Sequence, residues 1–282
     1  MTALARPADA SRPIVFRTRG RKHGPITRLM SPGDAGQLVK PFVFLDWFEA
    51  EPGAGASFGW HPHSGIATLT LVMEGAVGYE ETTGVKGEVG AGGIEWMRAS
   101  GGVWHTSSLS GEAPTRGYQL WLAMPASLEL GAPESCYLSA DAVPSVGAAR
   151  VVLGRYEGAA SPVPAPGGIT YLAVTLNAGE TWRFEPAEGQ SVAWIAVHKG
   201  SVAAPERVGA GEMAIFAEGS GAIVFEAAED TAFILGAAVK HPHDLVTGHY
   251  SVHTSRAALA EGENGIRRIA MELQARGLIR LR

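Results

Sequence analysis

A strand-and-turn unit that occurs twice constrains the fold of this chain more than any other feature. In the first copy, "LVMEGAVGYEE" (71–81) is followed by "VGAGGIEWM" (89–97). In the second copy, "AVHKGSVAAPE" (196–206) is followed by "VGAGEMAIF" (208–216). Short apolar runs separated by glycine turns predict β-hairpins. Two copies in the same order predict two similar β domains in tandem.

The composition agrees with an all-β globular protein and excludes several function classes. The 37 glycines and 17 prolines suit a chain with many turns, and 46% hydrophobic residues provide for a core. A formal net charge of −5 without a basic stripe argues against direct binding to nucleic acid. Cys136 is the only cysteine, which rules out a disulfide framework and a thiolate zinc cluster. No apolar run approaches the ~18 residues of a membrane span, so we expect a cytoplasmic protein with no membrane partner.

The domain boundaries follow from the repeat and from its flanking segments. The Pro/Gly-rich segment "GAASPVPAPGG" (158–168) resembles a connector between the copies. Residues 254–277 predict a C-terminal helix, because Ile266, Ile269, Ala270 and Leu273 have helical spacing and Gly277 can cap its end. We therefore expect an N-terminal barrel over 1–145, which carries a metal site. A C-terminal barrel without ligands is expected over 146–282 and ends in this helix.

The motif "HPHSG" (61–65) predicts half of a metal site. Residues i and i+2 of a strand project from one face, so the imidazoles of His61 and His63 point the same way. Pro62 cannot donate to a ladder, which places the segment at a strand start or on a sheet edge. His105, in "SGGVWHTSS", can supply a third imidazole after the Gly101-Gly102 turn. The alternative is a pair of edge histidines bonded to water.

The other histidines have weaker claims to a function. His241 and His243 form a second His-Pro-His, but "KHPHD" resembles a connector between the last strand of the second copy and the helix. His249 and His253 lie close by, so an adventitious surface metal site is the alternative there. His198 is expected to be structural or exposed. Alignment of the two copies by their turns places Pro186 and Glu188 opposite the first histidine pair, so the second copy has no ligand set.

The order of the motifs in the first half closely resembles the pirin family. The motifs are "KPFVFLDWF" (40–48), "HPHSG" (61–65), "LVMEG" (71–75), "GEVGAGGIEWM" (87–97), "SGGVWH" (100–105) and "GYQLWL" (117–122). The likeness continues weakly through the second copy to a family-like C-terminal helix. It implies a bicupin, that is, two double-stranded β-helix barrels in tandem. It also implies one divalent transition metal, iron first, with zinc, nickel, manganese and copper also compatible with imidazole ligands.

The resemblance implies three histidine ligands and one glutamate, and only the histidines carry over, onto His61, His63 and His105. Pirins usually have His-Ser-Glu at the third histidine, where this chain has His-Thr-Ser, so Ser107 takes the place of the carboxylate. The family's usual Arg-Gly-Phe-Glu-Thr appears as "SGIAT" (64–68), which removes a second carboxylate. A neutral three-histidine site is still chemically competent. Its affinity for a cation should be lower.

Two carboxylates are candidates to replace the missing one. Certain pirins have quercetin dioxygenase activity, in which a ligand glutamate is thought to take the proton of the flavonol hydroxyl, and Ser107 cannot act as that base. Glu95 lies in "EWM", where pirins commonly have Gln, although a solvent-facing or hydrogen-bonded side chain is the competing expectation. Glu112 is the weaker candidate. Pocket walls are expected among five apolar residues, with plain core packing as the alternative: Phe44, Trp47, Trp60, Met97 and Trp104.

These features leave three functional hypotheses. The first is a metal-dependent dioxygenase of the quercetin 2,3-dioxygenase type that acts on a small aromatic molecule. The second is a non-catalytic protein, metal-bound or metal-free, that regulates a protein partner, as pirins are thought to do. The third is a degenerate cupin that retains its histidines from ancestry. The retained histidines favour the first hypothesis, and the missing base favours the second or a changed chemistry.

Overall fold

The computed structural model describes residues 12–53, 56–109 and 113–280. Up to residue 143 the elements are β1 (Ile14–Thr18), β2 (Arg21–His23), β3 (Ile26–Met30), α1 (Gly36–Val39), β4 (Phe42–Ala50), β5 (Ala56–His63), β6 (Ile66–Glu74), β7 (Ala76–Glu81), β8 (Lys86–Gly90), β9 (Ile94–Arg98), β10 (Val103–Leu109), β11 (Thr115–Ala123), β12 (Glu134–Leu138) and a 3₁₀ turn (Ala140–Ala142). The remainder forms β13 (Ser145–Val146), β14 (Ala149–Tyr156), β15 (Ala159–Ala160), β16 (Ile169–Leu176), β17 (Thr181–Phe184), β18 (Val192–Lys199), β19 (Ser201–Ala203), β20 (Arg207–Gly209), β21 (Met213–Phe216), β22 (Ile223–Ala227), β23 (Thr231–Ala238), β24 (Val246–Thr247), β25 (Val252–His253) and α2 (Arg256–Ala275).

The chain divides into two compact units that are not contiguous in sequence. One unit, the N-terminal barrel, comprises residues 21–143, 162–166 and 241–282. The other, the C-terminal barrel, comprises residues 1–20, 144–161 and 167–240. The sequence predicts contiguous domains at 1–145 and 146–282. In the structure, β1 near the start of the chain belongs to the C-terminal barrel, and α2 near its end belongs to the N-terminal barrel. The reason is pairing: β1 hydrogen bonds to β21, while α2 packs on β10, β24 and β25.

The N-terminal barrel consists of two antiparallel sheets, as an all-β cupin requires. A seven-stranded sheet has the order β12-β9-β6-β11-β4-β3-β2, and a four-stranded sheet has the order β5-β10-β7-β8. Strands β6 and β11 lie in the middle of the larger sheet, and almost all of their residues are buried or half-buried. Strand β5 is an edge strand, which agrees with the position expected for Pro62.

The C-terminal barrel repeats the design of the first and confirms the internal repeat. Its sheets have the orders β1-β21-β18-β23-β16-β14-β13 and β17-β22-β19-β20. The two Val-Gly-Ala-Gly segments form the same turn, between β8 and β9 and between β20 and β21. Gly92 and Gly211 have φ values of +78° and +79°, which glycine adopts without strain. The barrel is filled by one large apolar cluster that includes Phe184, Phe225 and Phe233.

The predicted C-terminal helix is α2, which begins after Ser255. The Ser255 hydroxyl accepts a hydrogen bond from the Ala258 amide at 3.1 Å, a typical N-cap. The helix ends at the C-cap Arg276, and Gly277, with φ of +73°, occupies the next position, where glycine is favoured. The buried face includes Ala258, Gly262, Gly265, Ile266, Ala270 and Leu273. Among the described residues, neither helix is long and apolar enough to cross a membrane.

Candidate metal centre

The three predicted histidines converge inside the N-terminal barrel. His61 and His63 lie near the end of β5, and His105 on β10 pairs directly with His61. One ring nitrogen of each histidine lies within 4.8 Å of those of the other two. The ring centroids of His61 and His105 are 4.3 Å apart, and each is 5.1 Å from that of His63. Strand parity and the Gly101-Gly102 turn thus bring the imidazoles together as the sequence predicts.

Backbone carbonyls orient two of the three imidazoles. His61 Nδ1 lies 2.8 Å from the carbonyl oxygen of Gly59, and His63 Nδ1 lies 3.3 Å from that of Tyr250. A carbonyl can only accept, so in both rings Nδ1 carries the proton and Nε2 retains its lone pair. Neither nitrogen of the buried His105 has a hydrogen-bond partner. This donor set fits a metal ion, because ligand histidines commonly donate their second N–H to a carbonyl or carboxylate.

The barrel interior holds His61 and His63 in the neutral form. Burial, followed by the neighbouring His105, lowers the pKa of His61 to about 4. The same causes hold the pKa of His63 well below its ordinary value. Metal binding requires the deprotonated ring. The pocket therefore offers lone pairs at neutral pH without first losing protons.

Glu95 on β9 places a carboxylate beside the triad. The side chain is buried, and its Oε2 accepts a hydrogen bond from Thr70 Oγ1 at 2.8 Å. Its Oε1 has no hydrogen-bond partner and lies 3.8 Å from His105 Nδ1. The sequence analysis set a replacement carboxylate against a side chain that faces solvent or is hydrogen-bonded. The side chain of Glu95 is hydrogen-bonded and does not face solvent. An unpartnered oxygen in a buried pocket is an acceptor that a bound group can use.

Comparison with known proteins places this chain among the pirins. The family model described as Pirin matches residues 24–122. A pirin-like protein of Caulobacter vibrioides is 33% identical over 189 residues, which is 63% of this chain and 67% of that protein. The chain belongs to the pirin family. A Pseudomonas aeruginosa relative provisionally named quercetin 2,3-dioxygenase is 30% identical over 202 residues, 65% of this chain and 69% of that protein.

The fold of the family is confirmed over nearly the whole chain. The crystal structure of a quercetin 2,3-dioxygenase from Acinetobacter baumannii superposes with a TM-score of 0.83 at 23% identity, and covers 92% of this chain and 98% of that one. At that identity the likeness establishes the two-barrel cupin fold alone. This pirin is therefore a bicupin, as the motif order predicts.

The position of the usual pirin glutamate is occupied by Ser107 on β10. In the pairing of β10 with β7, His105 lies opposite Glu81, and Ser107 lies opposite Tyr79. Regular alternation along this pair puts Ser107 on the same face of β10 as His105. Ser107 is half-buried and brings only a hydroxyl. Glu112, the weaker of the two candidate carboxylates, lies outside the described residues.

Glu81 is a further buried carboxylate that the sequence analysis missed. It lies opposite His105, is 3% exposed, and accepts hydrogen bonds from Thr83 and Ser135 through Oε2. Its Oε1 has no partner, and burial raises its pKa. Alternation within "YEE" (79–81) puts Tyr79 and Glu81 on one face. Only the β7–β10 register shows that this face meets His105.

The aromatic neighbours of the triad also differ from the expected walls. Trp121 packs edge-on against His63 at 4.8 Å between centroids, and Phe44 stacks on Trp121 at 4.0 Å. The ring of Tyr250 lies 6.1 Å from those of both His61 and His63.

Of the other expected wall residues, Met97 belongs to a small core cluster with Ala99 and Val103. Trp47 packs edge-on with Tyr118. Trp104 alternates with His105 on β10, which turns its side chain to the opposite strand face. Trp60 is half-buried at an irregularity in the pairing of β5 with β10. The Trp104 indole donates to the Ile266 carbonyl of α2 instead.

The second His-Pro-His serves as a structural connector. His241 is buried and its Nε2 lies 3.2 Å from the Met124 carbonyl oxygen. Its Nδ1 accepts a hydrogen bond from the His243 amide at 3.3 Å, and the ammonium of Lys40 donates to the His243 carbonyl. Within the described part of the chain, the histidine cluster with metal-ligand geometry is the triad alone. In the C-terminal barrel, His198 is half-buried on β18, and Pro186 and Glu188 follow β17 in a loop.

Proposed function

We propose that this pirin holds one divalent transition metal, iron first, through His61, His63 and His105. We propose further that it catalyses a dioxygenase reaction of the quercetin 2,3-dioxygenase type on a small hydroxylated aromatic molecule. One observation carries the proposal. Three imidazoles converge beside a buried carboxylate oxygen that has no hydrogen-bond partner among the described residues. The provisional name of the Pseudomonas aeruginosa relative points to the same chemistry.

In each histidine, Nε2 would bind the ion, and Nδ1 faces a group that orients the ring. Nε2 of His61 and of His63 would bind the ion, because Nδ1 of each ring faces a backbone carbonyl. For His105, Nδ1 lies on the side of Glu95 Oε1, at 3.8 Å, which leaves Nε2 for the ion. A divalent transition metal supplies Lewis-acid and, for iron, redox chemistry. The carboxylate next to the ring would raise the basicity of the imidazole.

Glu95 is the residue we expect to take the substrate proton. A phenolic hydroxyl within reach of Oε1 would transfer its proton to this oxygen, and the electron pair of the broken O–H bond would remain on the substrate oxygen. Thr70 holds the other carboxylate oxygen in place at 2.8 Å, so that Oε1 is pre-positioned. In this proposal the base that pirins usually have at position 107, on β10, is replaced by Glu95 on β9, a strand of the other sheet of the barrel.

The surrounding aromatic rings suit a planar substrate. Trp121 and Phe44 form a stacked pair on one side of the triad, and the ring of Tyr250 lies on another. Such apolar walls with a few polar groups are typical of small-molecule sites. A flavonol or related phenol would find an apolar surface for its ring and Glu95 as the acceptor for its hydroxyl.

An anaerobic Fe(II) titration of metal-stripped protein tests the binding site. We expect one ion per chain, lost in His61→Ala and in His105→Ala and retained in His249→Ala, which removes an exposed histidine near the C-terminal helix. Binding that is equal in all four proteins would refute the site.

Oxygen uptake with a flavonol then tests the activity. The Fe(II)-loaded wild-type protein should consume oxygen as the flavonol absorbance falls, and Glu95→Gln should do so far more slowly while it still binds iron. Stoichiometric iron without oxygen uptake would overturn the dioxygenase proposal. It would leave a metal-binding protein that acts through a protein partner as the better hypothesis.

A further inference from the structure

A buried hydrogen-bonded chain in the N-terminal barrel joins Glu129 to the strand that carries His63. Glu129 Oε2 lies 3.0 Å from His253 Nδ1, and His253 Nε2 lies 3.0 Å from Ser64 Oγ. Ser64 Oγ is in turn 2.9 Å from Ser251 Oγ. All four side chains are almost completely inaccessible to solvent. Four buried polar residues on three separate segments are costly to assemble, so their complete satisfaction indicates a specific role.

The order carboxylate, imidazole, hydroxyl is that of a hydrolase triad, but substrate cannot reach the hydroxyl. Ser64 has no exposed surface. A Cβ atom on Gly262 of α2 would lie 2.4 Å from His253 Nε2 and 2.6 Å from Ser64 Oγ. The helix backbone therefore lies directly over both groups and leaves no room for an acyl group. Nucleophilic catalysis at Ser64 is excluded, and a structural purpose remains.

The protonation of this chain follows from its partners. Burial lowers the pKa of His253, so the ring is neutral at pH 7. The Glu129 carboxylate can only accept, so Nδ1 carries the proton and Nε2 accepts from the Ser64 hydroxyl. Glu129 also accepts hydrogen bonds from the amide and the hydroxyl of Thr254. Three donors thus hold the carboxylate, and the carboxylate holds the segment around His253.

This segment reaches the metal site at two adjacent points. Ser64 and Ser251 form a parallel β-bridge, in which the Val252 amide donates to the Ser64 carbonyl at 3.2 Å. The residue before Ser251 is Tyr250, whose carbonyl lies 3.3 Å from His63 Nδ1. The residue before Ser64 is His63 itself. The bridge thus places an imidazole and the carbonyl that orients it side by side.

We propose that Glu129, His253, Ser251 and Ser64 are positioning residues for the metal site. They hold residues 250–253 against the end of β5, so that the Tyr250 carbonyl selects the Nδ1–H form of His63 and turns Nε2 to the ion. The inference rests on the proposed metal site. It adds that the segment 250–253 determines the affinity of that site. Tyr250, which contacts His63, lies 187 residues after it in the chain.

A Co(II) titration of the metal-stripped full chain tests the inference. Cobalt replaces the native ion, and its visible spectrum reports the number and geometry of its ligands. We compare wild type, His253→Ala, Ser251→Ala, His61→Ala and the control His249→Ala. The expected result is a 10- to 100-fold weaker affinity in His253→Ala, the range typical for groups that orient metal ligands. Ser251→Ala should show a smaller loss, and His249→Ala none.

A second readout separates positioning from general weakening of the fold. In metal-free protein, the ¹⁵N resonances of His63 should show the Nδ1–H form in wild type and a mixture of both forms in His253→Ala. If His253→Ala does not fold, Ser251→Ala and Ser64→Ala, which each remove one hydroxyl, decide the question by the same two measurements.

The outcomes distinguish the inference from the function on which it rests. Equal Co(II) affinity and equal His63 spectra in wild type and the positioning variants, with binding lost in His61→Ala, would overturn the inference and leave the metal site standing. Co(II) binding that is unchanged in His61→Ala would refute the metal site itself.

Discussion

Replacement of Glu95 by glutamine should change stability and metal affinity in opposite directions. In the metal-free protein Glu95 is a buried carboxylate with one oxygen bonded to Thr70 and the other without a partner. Glutamine has the same shape, and its amide oxygen can still accept from Thr70. The substitution therefore replaces the carboxyl group with a neutral amide and keeps the hydrogen bond. The metal-bound protein loses the carboxylate beside His105, at 3.8 Å from Nδ1.

The two effects have comparable magnitudes and opposite signs. An unsatisfied buried polar group costs about 1–3 kcal/mol. In Glu95→Gln the NH2 that replaces Oε1 can donate to the unpartnered Nδ1 of His105, so the free energy of unfolding of the metal-free protein should rise by up to that amount. Loss of a group that supports a metal ligand lowers affinity about 10- to 100-fold. That loss corresponds to about 1.4–2.7 kcal/mol of binding free energy. A variant that is merely damaged would instead lose both stability and affinity.

Urea unfolding of metal-stripped protein and anaerobic Fe(II) titration measure the two quantities separately. Glu88→Gln is the matched control, because it changes the net charge equally at an exposed position on β8. If Glu95→Gln weakens Fe(II) binding no more than Glu88→Gln does, Glu95 does not act on the metal site. If it lowers the stability of the metal-free protein, the carboxylate has a partner that the reasoning above omits.

Three further predictions address other parts of the chain. The double variant Ser107→Glu/Glu95→Gln should bind Fe(II) more tightly than Glu95→Gln alone, because Ser107→Glu returns a carboxylate to the usual pirin position. Equal affinities of the double and single variants would contradict this expectation. Gly262→Ala should lower the unfolding free energy by about 1–3 kcal/mol, because its Cβ would lie 2.4 Å from His253 Nε2. Asn264→Ala, exposed on the same helix, should not lower it. Burial lowers the pKa of His198 to about 4, so the folded state favours the neutral ring. The neutral ring therefore contributes about 3 kcal/mol to the free energy of unfolding above pH 6.5, and this contribution is lost as the pH falls towards 4. In His198→Gln the free energy of unfolding should depend less on pH between about 4 and 6.5. An unchanged dependence would show that His198 is not the group that titrates there.

The sequence predicted most of the fold and the ligands of the candidate site, because both depend on local patterns. Glycine turns such as the one at Gly92 and its counterpart at Gly211 need positive φ, and that requirement is visible in a single chain. The two-residue period of a strand places the side chains of His61 and His63 on the same face of β5. The end of α2 at Gly277 was likewise indicated by residue type and position, whereas its N-cap, Ser255, was not identified from the sequence.

The remaining features depend on which strands become neighbours. Glu81 and Glu95 lie on β7 and β9, and nothing within either strand indicates that both approach His105. The same is true of Trp121, which contacts His63 from β11. Each of these contacts is set by a register between strands that are distant in sequence, so a pattern of local periods cannot predict it.

The sequence by itself determined two tandem β-barrels, a C-terminal helix and the common face of His61 and His63, because strand alternation and glycine turns are local properties of the chain. The tertiary structure alone decided that Glu95 is buried beside the triad and that His253 clamps the segment whose Tyr250 carbonyl orients His63. The physical reason is the distance along the chain. The partners of a buried carboxylate or imidazole come from remote segments, and they are assembled only by folding.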